Sequence, residues 1–194
     1  MSGAGFLLDL HRCVGCSACV LACRIENWRT RSAPWRRVLP LNLARRPNGP
    51  TYFLSVACHH CDEPACLRGC PANAYERRAD GVVVHHDERC LGCRYCEMTC
   101  PFGTPQFDAD RGVVSKCHLC VHRLDAGLEP ACVAACPTGA LRFAGPGAES
   151  DPCAQRLVPG FADPAACRPN LTFRPPGGAR RAALYRALEE ALKR

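Results

Sequence analysis

The chain has 194 residues, 18 of them cysteine, and a formal net charge of +7 at neutral pH. Cysteine at about nine per cent of a short chain indicates a disulfide scaffold or a metal protein and excludes an ordinary globular composition. The charge alone favours a nucleic-acid partner, but it falls to about −1 if sixteen cysteines bind four [4Fe–4S]²⁺ cores as thiolates. We therefore expect no nucleic-acid partner and a basic charge that mainly compensates buried metal clusters.

The first thirteen residues, MSGAGFLLDLHRC, carry no recognisable targeting segment. A secretory signal has a basic region before a longer apolar stretch, and neither is present here. No stretch of the chain reaches the ~18 apolar residues that cross a bilayer. The sequence thus predicts no signal peptide of its own and no direct membrane span, and a disulfide scaffold would lack its usual export context.

Four quartets of cysteines follow one another along the sequence and form an internal repeat. In every quartet two residues separate the first pair of cysteines and three residues separate the last pair. Only the middle gap varies, and three quartets end in Cys-Pro. The quartets are Cys13, Cys16, Cys19 and Cys23; Cys58, Cys61, Cys66 and Cys70; Cys90, Cys93, Cys96 and Cys100; and Cys117, Cys120, Cys132 and Cys136.

This spacing suits cubane iron–sulfur clusters. Three cysteines on a tight loop wrap one cluster, and the fourth, beside a short helix, ligates a neighbouring cluster. The proline after it fixes φ, removes a backbone donor and leads the chain away. Each quartet therefore serves two clusters, so quartets must work in pairs. Zinc is the alternative, but zinc sites use cysteine pairs separated by a long spacer, which only the fourth quartet resembles.

Residues 24–50 interrupt the repeats with seven arginines, four prolines, Trp28 and Trp35. One interpretation is an irregular surface insertion. The other is a segment that docks on a partner, because Arg and Trp are favoured anchors of protein interfaces.

Short strands are predicted between and after the later quartets. The run TYFLSVAC is typical of a buried strand, and AYERR and VVVHH on either side of ADG predict a β-hairpin. A second hairpin is predicted in PQFDADRGVVSK, and PTGALRFAG begins a further strand. Cluster loop, short helix and hairpin together are typical of a two-cluster ferredoxin. Because the core is small, bound clusters must supply much of the folding energy.

The last fifty residues give weaker patterns. Residues 144–178 are rich in Pro and Gly, and they contain Cys153 and Cys167, which are either free thiols or a mutual disulfide. Residues 179–194 predict a helix with a narrow apolar stripe, which docks either on its own chain or on a partner.

Nothing in the sequence predicts a catalytic residue. His59, His60, His118 and His122 lie beside cluster cysteines, where they could donate hydrogen bonds or act near a quinol. Solvated or packing roles are the commoner use of such histidines, whose pKa lies near neutrality.

The order of the quartets resembles that in the iron–sulfur subunits of membrane-bound molybdopterin oxidoreductases. The stretches that carry the resemblance, which covers roughly residues 5–176, are most similar to the iron–sulfur subunit of dimethyl sulfoxide reductase. Polysulfide, thiosulfate, tetrathionate, sulfite and formate enzymes use similar subunits, so the substrate stays open. The stretches are SVACHHCDEPAC, CLGCRYCEMTCPFGTPQF, KCHLCVHRLDAGLEPACVAACP and RPNLTFRPP.

The resemblance implies four [4Fe–4S] clusters, with the first quartet paired with the fourth and the second with the third. It implies that the first pair lies nearer a molybdopterin (bis-guanine dinucleotide) catalytic subunit and the second nearer an integral-membrane, quinone-binding anchor. The implied ligands are Cys13, Cys16, Cys19 and Cys136 (first cluster site); Cys117, Cys120, Cys132 and Cys23 (second); Cys58, Cys61, Cys66 and Cys100 (third); and Cys90, Cys93, Cys96 and Cys70 (fourth).

The predicted fold is α+β, with two nested ferredoxin-like, two-cluster modules, irregular insertions and a C-terminal helix. Residues 1–30 with 105–145 form one module and residues 51–104 the other. Residues 31–50 are an insertion, and residues 146–194 are an irregular tail with the terminal helix.

The leading functional hypothesis is a non-catalytic electron-transfer subunit, held peripherally at a bacterial membrane by its partners. Without a signal of its own it lies on the cytoplasmic face, or reaches the periplasm by co-export with the catalytic subunit. The alternatives are a free polyferredoxin or maturation electron carrier and, from a different class, a zinc-binding structural or nucleic-acid module.

Overall fold

A computed structural model of the protein describes residues 3–27, 34–41, 52–148, 151–158, 161 and 165–175. The predicted helix at 179–194 and Trp28 lie outside these ranges. The described part contains nine short strands, five short α-helices and one 3₁₀ helix. The predicted α+β class is confirmed.

The strands are β1 (Gly5–Asp9), β2 (Arg37–Leu41), β3 (Tyr52–Val56), β4 (Tyr75–Arg77), β5 (Val83–His85), β6 (Gln106–Asp108), β7 (Val113–Ser115), β8 (Leu141–Ala144) and β9 (Leu171–Arg174). The helices are α1 (Ala18–Glu26), α2 (Ala65–Arg68), α3 (Tyr95–Thr99), α4 (Val121–Leu124) and α5 (Ala131–Ala134), with the 3₁₀ helix at Asp87–Arg89. Every helix in the described ranges is too short or too polar to cross a membrane.

A three-stranded sheet joins the start of the chain to two late segments. β1 is its central strand, antiparallel to β8 and parallel to β9. The side chains of Phe6 and Leu8 are almost completely buried, as expected for an apolar strand with neighbours on both edges. A Cβ atom on Gly5 would lie 1.8 Å from the carbonyl oxygen of Asn170, so only glycine permits this close approach of β9.

Three antiparallel hairpins surround this sheet, formed by β2 with β3, β4 with β5, and β6 with β7. The predictions of hairpins at β4–β5 and β6–β7, of a buried strand at β3 and of a strand at β8 are therefore confirmed. Alternating and β-branched residues between turn signals were sufficient to find them.

Two segments that the sequence indicated to be irregular contain strands. β2 lies inside residues 24–50, and Trp35 and Arg36 before it are buried, with exposed fractions of 7% and 1%. Trp35 donates from Nε1 to Oγ of Ser115 at 3.2 Å, so this side chain packs within its own chain. The interpretation of residues 24–50 as a partner-docking segment stays a prediction, because residues 28–33 and 42–50 lie outside the described ranges. β9 lies inside the Pro- and Gly-rich tail, where the alternation of apolar and polar residues in Leu-Thr-Phe-Arg covers only four positions and gives a weak signal.

The apolar core has two parts. The larger one packs Phe6, Leu8, Leu54 and Phe173 together with cysteines of the first and fourth quartets and Cys58 of the second. The smaller one joins Tyr75, Val83 and Val114 to Cys66 and Cys96, with Phe107 packed against it. Every quartet thus contributes at least one buried cysteine to the core.

Candidate metal centres

Each quartet places its third cysteine on a short helix. Cys19 lies on α1, Cys66 on α2, Cys96 on α3 and Cys132 on α5. The fourth cysteine follows the helix end at Cys70, Cys100 and Cys136, whereas Cys23 lies further along the longer α1. The loop and the helix end therefore present their thiols in different directions, as the proposed sharing between clusters requires.

The residue just before the second cysteine has left-handed backbone in all four quartets. These residues are Gly15 (φ 72°), His60 (φ 45°), Gly92 (φ 66°) and Leu119 (φ 58°). This conformation turns backbone N–H groups inward, a common device for binding anionic groups. The N–H groups of Gly92 and Leu119 each donate to Sγ of the first cysteine of their quartet at 3.4 Å. Glycine marked two of these positions in the sequence, but the other two carried no such signal.

Three cavities are lined by thiols that come from two different quartets. In each case three cysteines come from one quartet and one from its partner quartet. The lining cysteines are Cys13, Cys16, Cys19 and Cys136; Cys58, Cys61, Cys66, Cys100 and Cys167; and Cys90, Cys93, Cys96 and Cys70.

The thiols of the second cluster site are linked by electrostatics and by one amide. Burial raises the pKa of Cys23 to about 12, and the nearby Cys132 and Cys120 also raise this pKa. Arg36 acts in the opposite direction and lowers the pKa of Cys23. The side-chain amide of Asn27 donates toward Sγ of Cys23 at 3.8 Å and Sγ of Cys120 at 3.9 Å. The structure therefore brings these cysteines together as well.

Burial decides the charge state of the thiols while no metal is bound to them. It raises the pKa of Cys66 to about 12, with Cys58 adding to the effect, and it raises the pKa of Cys117 well above its ordinary value. Four thiolates in one buried site repel one another unless a cation is bound among them, so metal binding and proton release are coupled. Cys16 and Cys93 are exposed, and the other fourteen quartet cysteines are half-buried or buried.

The donor set in each cavity fits an iron–sulfur cubane: at least four thiols, no carboxylate, and backbone N–H groups turned toward sulfur. In the described ranges, no three His, Cys, Asp or Glu side chains are placed to hold a single metal ion. The ligands of a cubane bind four different iron atoms and do not converge on one point.

Two cations are buried beside these sites, and the sequence did not single out either. Arg36 donates from Nη1 to Ser55, while its Nε and Nη2 have no hydrogen-bond partner in the described structure. Lys116 donates from Nζ to the carbonyl oxygens of Val83 and Cys117. Buried cations are unfavourable without nearby negative charge. The expected internal compensation therefore rests on these two residues in the described structure.

Most of the other described arginines form ion pairs outside the core. Arg68, Arg77, Arg78, Arg94, Arg111 and Arg168 each pair with a carboxylate and are partly or largely exposed. Such surface pairs contribute little to stability.

The four histidines beside cluster cysteines differ in environment. His59 and His60 are buried, and Nδ1 of His60 accepts from the Val83 N–H at 3.0 Å. Neither ring nitrogen of His59 has a hydrogen-bond partner in the described structure. His122 is half exposed and pairs with Glu26, and His118 packs edge-on against Trp35. His59 and His60 are therefore buried packing residues beside the cysteines of the second quartet, not solvated ones.

Cys153 and Cys167 form no disulfide, and all eighteen cysteines, which lie within the described ranges, are free thiols. Cys153 is exposed, and Cys167 is buried within the cavity of the third cluster site. No signal in the sequence indicated that Cys167 lies in this cavity.

Comparison with known proteins agrees with the donor chemistry. Residues 50–145 match the family of 4Fe-4S dicluster domains. The probable anaerobic dimethyl sulfoxide reductase protein YnfG of Escherichia coli K12 is 41% identical over 147 residues, which cover 72% of each protein. A second anaerobic dimethyl sulfoxide reductase component of the same strain is 40% identical with the same coverage. A tetrathionate reductase component of Salmonella typhimurium is 40% identical over 136 residues, 69% of this chain and 54% of that protein.

Proposed function

Because this protein belongs to the family of iron–sulfur subunits found in anaerobic dimethyl sulfoxide reductases, we propose that it carries four [4Fe–4S] clusters as an electron relay. The relay runs between a quinone-binding membrane anchor subunit and a molybdopterin catalytic subunit. The protein itself is non-catalytic and is held at the membrane by its partners.

The observation that carries this proposal is the exchange of one cysteine between paired quartets. Cys136 lies with Cys13, Cys16 and Cys19, and Cys100 lies with Cys58, Cys61 and Cys66. Cys70 lies with the first three cysteines of the third quartet. Such sharing is the signature of two-cluster ferredoxins, in which neighbouring clusters are held close enough for electrons to pass. The ligand sets are the four given above from the family resemblance.

The clusters, when bound, supply one-electron chemistry; the residues of this chain hold them, exclude water and set their potentials. Buried thiols and apolar side chains lower the local polarity, and Arg36 and Lys116 provide positive charge next to the sites. Backbone N–H groups directed at Sγ stabilise the more negative, reduced state. The fold thus contributes cluster placement and potential, and no nucleophile or base is required.

Two exposed apolar surfaces support docking between subunits. Val14 precedes the exposed Cys16 by two residues, and Leu21 and Ile25 are exposed on the helix α1 that follows. Leu91, Tyr95 and Met98 are likewise exposed and lie close to Cys93 in the sequence. Large apolar side chains gathered on a surface are typical of protein interfaces. Electrons would enter and leave near these two cysteines, one in each pair of quartets.

The test is to express the protein with its neighbouring subunits and to follow cluster reduction in the isolated membrane complex. A quinol analogue should reduce its clusters, and the substrate of the catalytic subunit should reoxidise them. A brown protein that purifies alone and exchanges electrons with soluble partners would indicate a free polyferredoxin. A colourless, zinc-containing protein would overturn the proposed function altogether.

A further inference from the structure

A fifth thiol lies in the cavity of the third cluster site. Cys167 has an exposed fraction of 3% and lines this cavity beside Cys58, Cys61, Cys66 and Cys100. The cavities of the first and fourth cluster sites are each lined by four cysteines. Neither the spacing of the quartets nor the family resemblance assigns a ligand to residue 167.

The segment that carries Cys167 is fixed to the loop of the second quartet. The N–H groups of Asp62 and Glu63 donate to the carbonyl oxygens of Arg168 and Cys167 at 2.9 and 3.1 Å. In the opposite direction, the backbone N–H of Asn170 donates to the His59 carbonyl oxygen at 2.9 Å. Backbone hydrogen bonds therefore flank Cys167 and hold it beside the loop between Cys58 and Cys61.

A second polar group in the same cavity also lacks a partner. His59 lines the cavity with an exposed fraction of 2%, and neither of its ring nitrogens has a hydrogen-bond partner in the described structure. A neutral imidazole ring carries one hydrogen-bond donor and one acceptor. Unpartnered polar atoms in a buried cavity indicate a bound group that is accommodated there.

We infer that Cys167 is a reserve ligand of the third cluster site, able to bind the iron that Cys61 otherwise holds. This inference rests on the proposed function, since it requires a cluster at the site. Cys61 is the relevant partner because Asp62 and Glu63, which follow it directly, donate backbone hydrogen bonds to the carbonyl oxygens of Arg168 and Cys167. Cys61 and Cys167 also line the same cavity.

The exchange of ligands balances without an oxidant or reductant. The Cys167 thiol loses its proton as its sulfur forms a bond to iron, and the bond from that iron to the Cys61 thiolate breaks. The departing Cys61 thiolate takes up one proton. The charge of the site and the oxidation state of the iron are therefore unchanged.

The exposure of the two thiols indicates when the exchange is useful. Cys61 is only half-buried, whereas Cys167 is buried. An accessible thiolate is the one that oxidants modify first, and a sulfenic or sulfinic side chain is a poor iron ligand. A shielded fifth thiol would keep the cluster at four irons after such damage.

The experiment removes the second cysteine of a quartet at two comparable sites in the intact complex. Cys61→Ala tests the site with five thiols, and Cys93→Ala is the matched control at the site with four. Alanine is used because a serine hydroxyl can itself bind iron. The readouts are the EPR signal of an oxidised three-iron centre, which a four-iron [4Fe–4S]²⁺ centre lacks, and the iron content.

We expect Cys93→Ala to show about one three-iron centre per complex, and Cys61→Ala to show almost none. The double variant Cys61→Ala/Cys167→Ala should regain the three-iron signal, while Cys167→Ala alone should keep the full iron content. The inference is overturned if Cys61→Ala and the double variant show the same three-iron signal, the same loss of iron or the same intact cluster. Absence of iron from the unmodified complex would instead contradict the proposed function.

Discussion

Arg36 donates a hydrogen bond from Nη1 to Oγ of Ser55 at 3.0 Å, and that same oxygen lies 3.3 Å from Sγ of Cys19. The serine therefore connects a buried cation to a thiol of the first cluster site. Burial would lower the pKa of Arg36, but Cys132 and Cys117 of the second site and Cys19 outweigh it and raise the pKa. One guanidinium thus serves two neighbouring sites.

Removing this charge should lower the potentials of the clusters at the first and second sites. A unit charge at ~10 Å in a medium of effective dielectric constant ~20 contributes ~1.7 kcal/mol. For a one-electron couple this energy corresponds to roughly 70 mV. Arg36→Met should therefore lower the reduction potentials of the first two cluster sites by several tens of millivolts in an EPR redox titration. Arg36→Lys keeps the positive charge, so its potentials should stay close to those of the unmodified complex.

The matched control for this prediction is Arg78→Met. Arg78 pairs with Asp125 and Asp80. These two carboxylates raise the pKa of Arg78, and no cysteine contributes to that shift. The control variant removes the same charge from a surface ion pair, so the cluster potentials should stay within error of the unmodified complex. Equal shifts in both variants would mean that Arg36 acts only through net charge.

The number of clusters is open to direct analysis. Sixteen cysteines in four quartets should hold about 16 iron and 16 sulfide ions per chain. Anaerobic iron and acid-labile sulfide assays on the isolated complex, corrected for iron in the partner subunits, would measure this. An iron and sulfide content near half of these numbers would show that one pair of quartets holds no clusters.

Cys93 offers a test of the electron path. Cys93→Ala should release one iron from the fourth cluster site and leave a three-iron centre of higher potential. A rise of roughly 200 mV makes an electron trap about 5 kcal/mol deep. Because the second pair of quartets is proposed to lie nearer the quinone, quinol-linked turnover should stop while activity with a small artificial donor largely survives.

Activity assays with both donors, read together with EPR, decide between the alternatives for Cys93. Equal loss of both activities would show that this cysteine does not lie on the quinone side of the relay. Unchanged activities without a three-iron signal would show that Cys93 is not a ligand.

Gly92 tests the left-handed turn in the third quartet. Its φ is 66°, and a Cβ atom there would lie 2.5 Å from the carbonyl oxygen of Gly112. Gly127 has a φ of 72° with no heavy atom within 4 Å of the same position. Both alanine variants incur the left-handed penalty of roughly 1–2 kcal/mol, but only Gly92→Ala must also displace backbone.

We therefore expect Gly92→Ala to lose iron selectively from the fourth cluster site, while Gly127→Ala keeps all clusters and unfolds at a slightly lower temperature. Iron content and thermal denaturation of the two complexes would be compared side by side. Indistinguishable iron contents would argue that the turn near Cys90 tolerates displacement.

The parts of the fold that could be predicted from the sequence are those with local signals. Turn residues and β-branched runs indicated the hairpins β4–β5 and β6–β7, and glycine marked the turns at Gly15 and Gly92. The same left-handed turns at His60 and Leu119 could not be predicted, because the surrounding loop, and not the residue type, imposes them.

The parts that escaped prediction depend on contacts between distant segments. β9 is a strand because β1 and the Gln155 backbone pair with it. Its four residues alternate apolar and polar, but so short a run does not distinguish a strand. Arg36 looked like one of many surface arginines, because burial of a cation is decided by the charges around it. Cys167 is 67 residues from the nearest proposed ligand of the third site, Cys100, and no spacing rule covers that distance.

The position of β1 between β8 and β9 has a consequence for biosynthesis. A ribosome releases residues 58–100, with every proposed ligand of the third and fourth sites, well before Cys136 completes the first site. At 5–20 residues per second, the interval between residues 100 and 136 is roughly two to seven seconds. The central sheet closes later still, because β1 has to wait for residues 171–174. The proposed ligands of the third and fourth sites are therefore complete several seconds before those of the first site, and the sheet that contains β1 forms last.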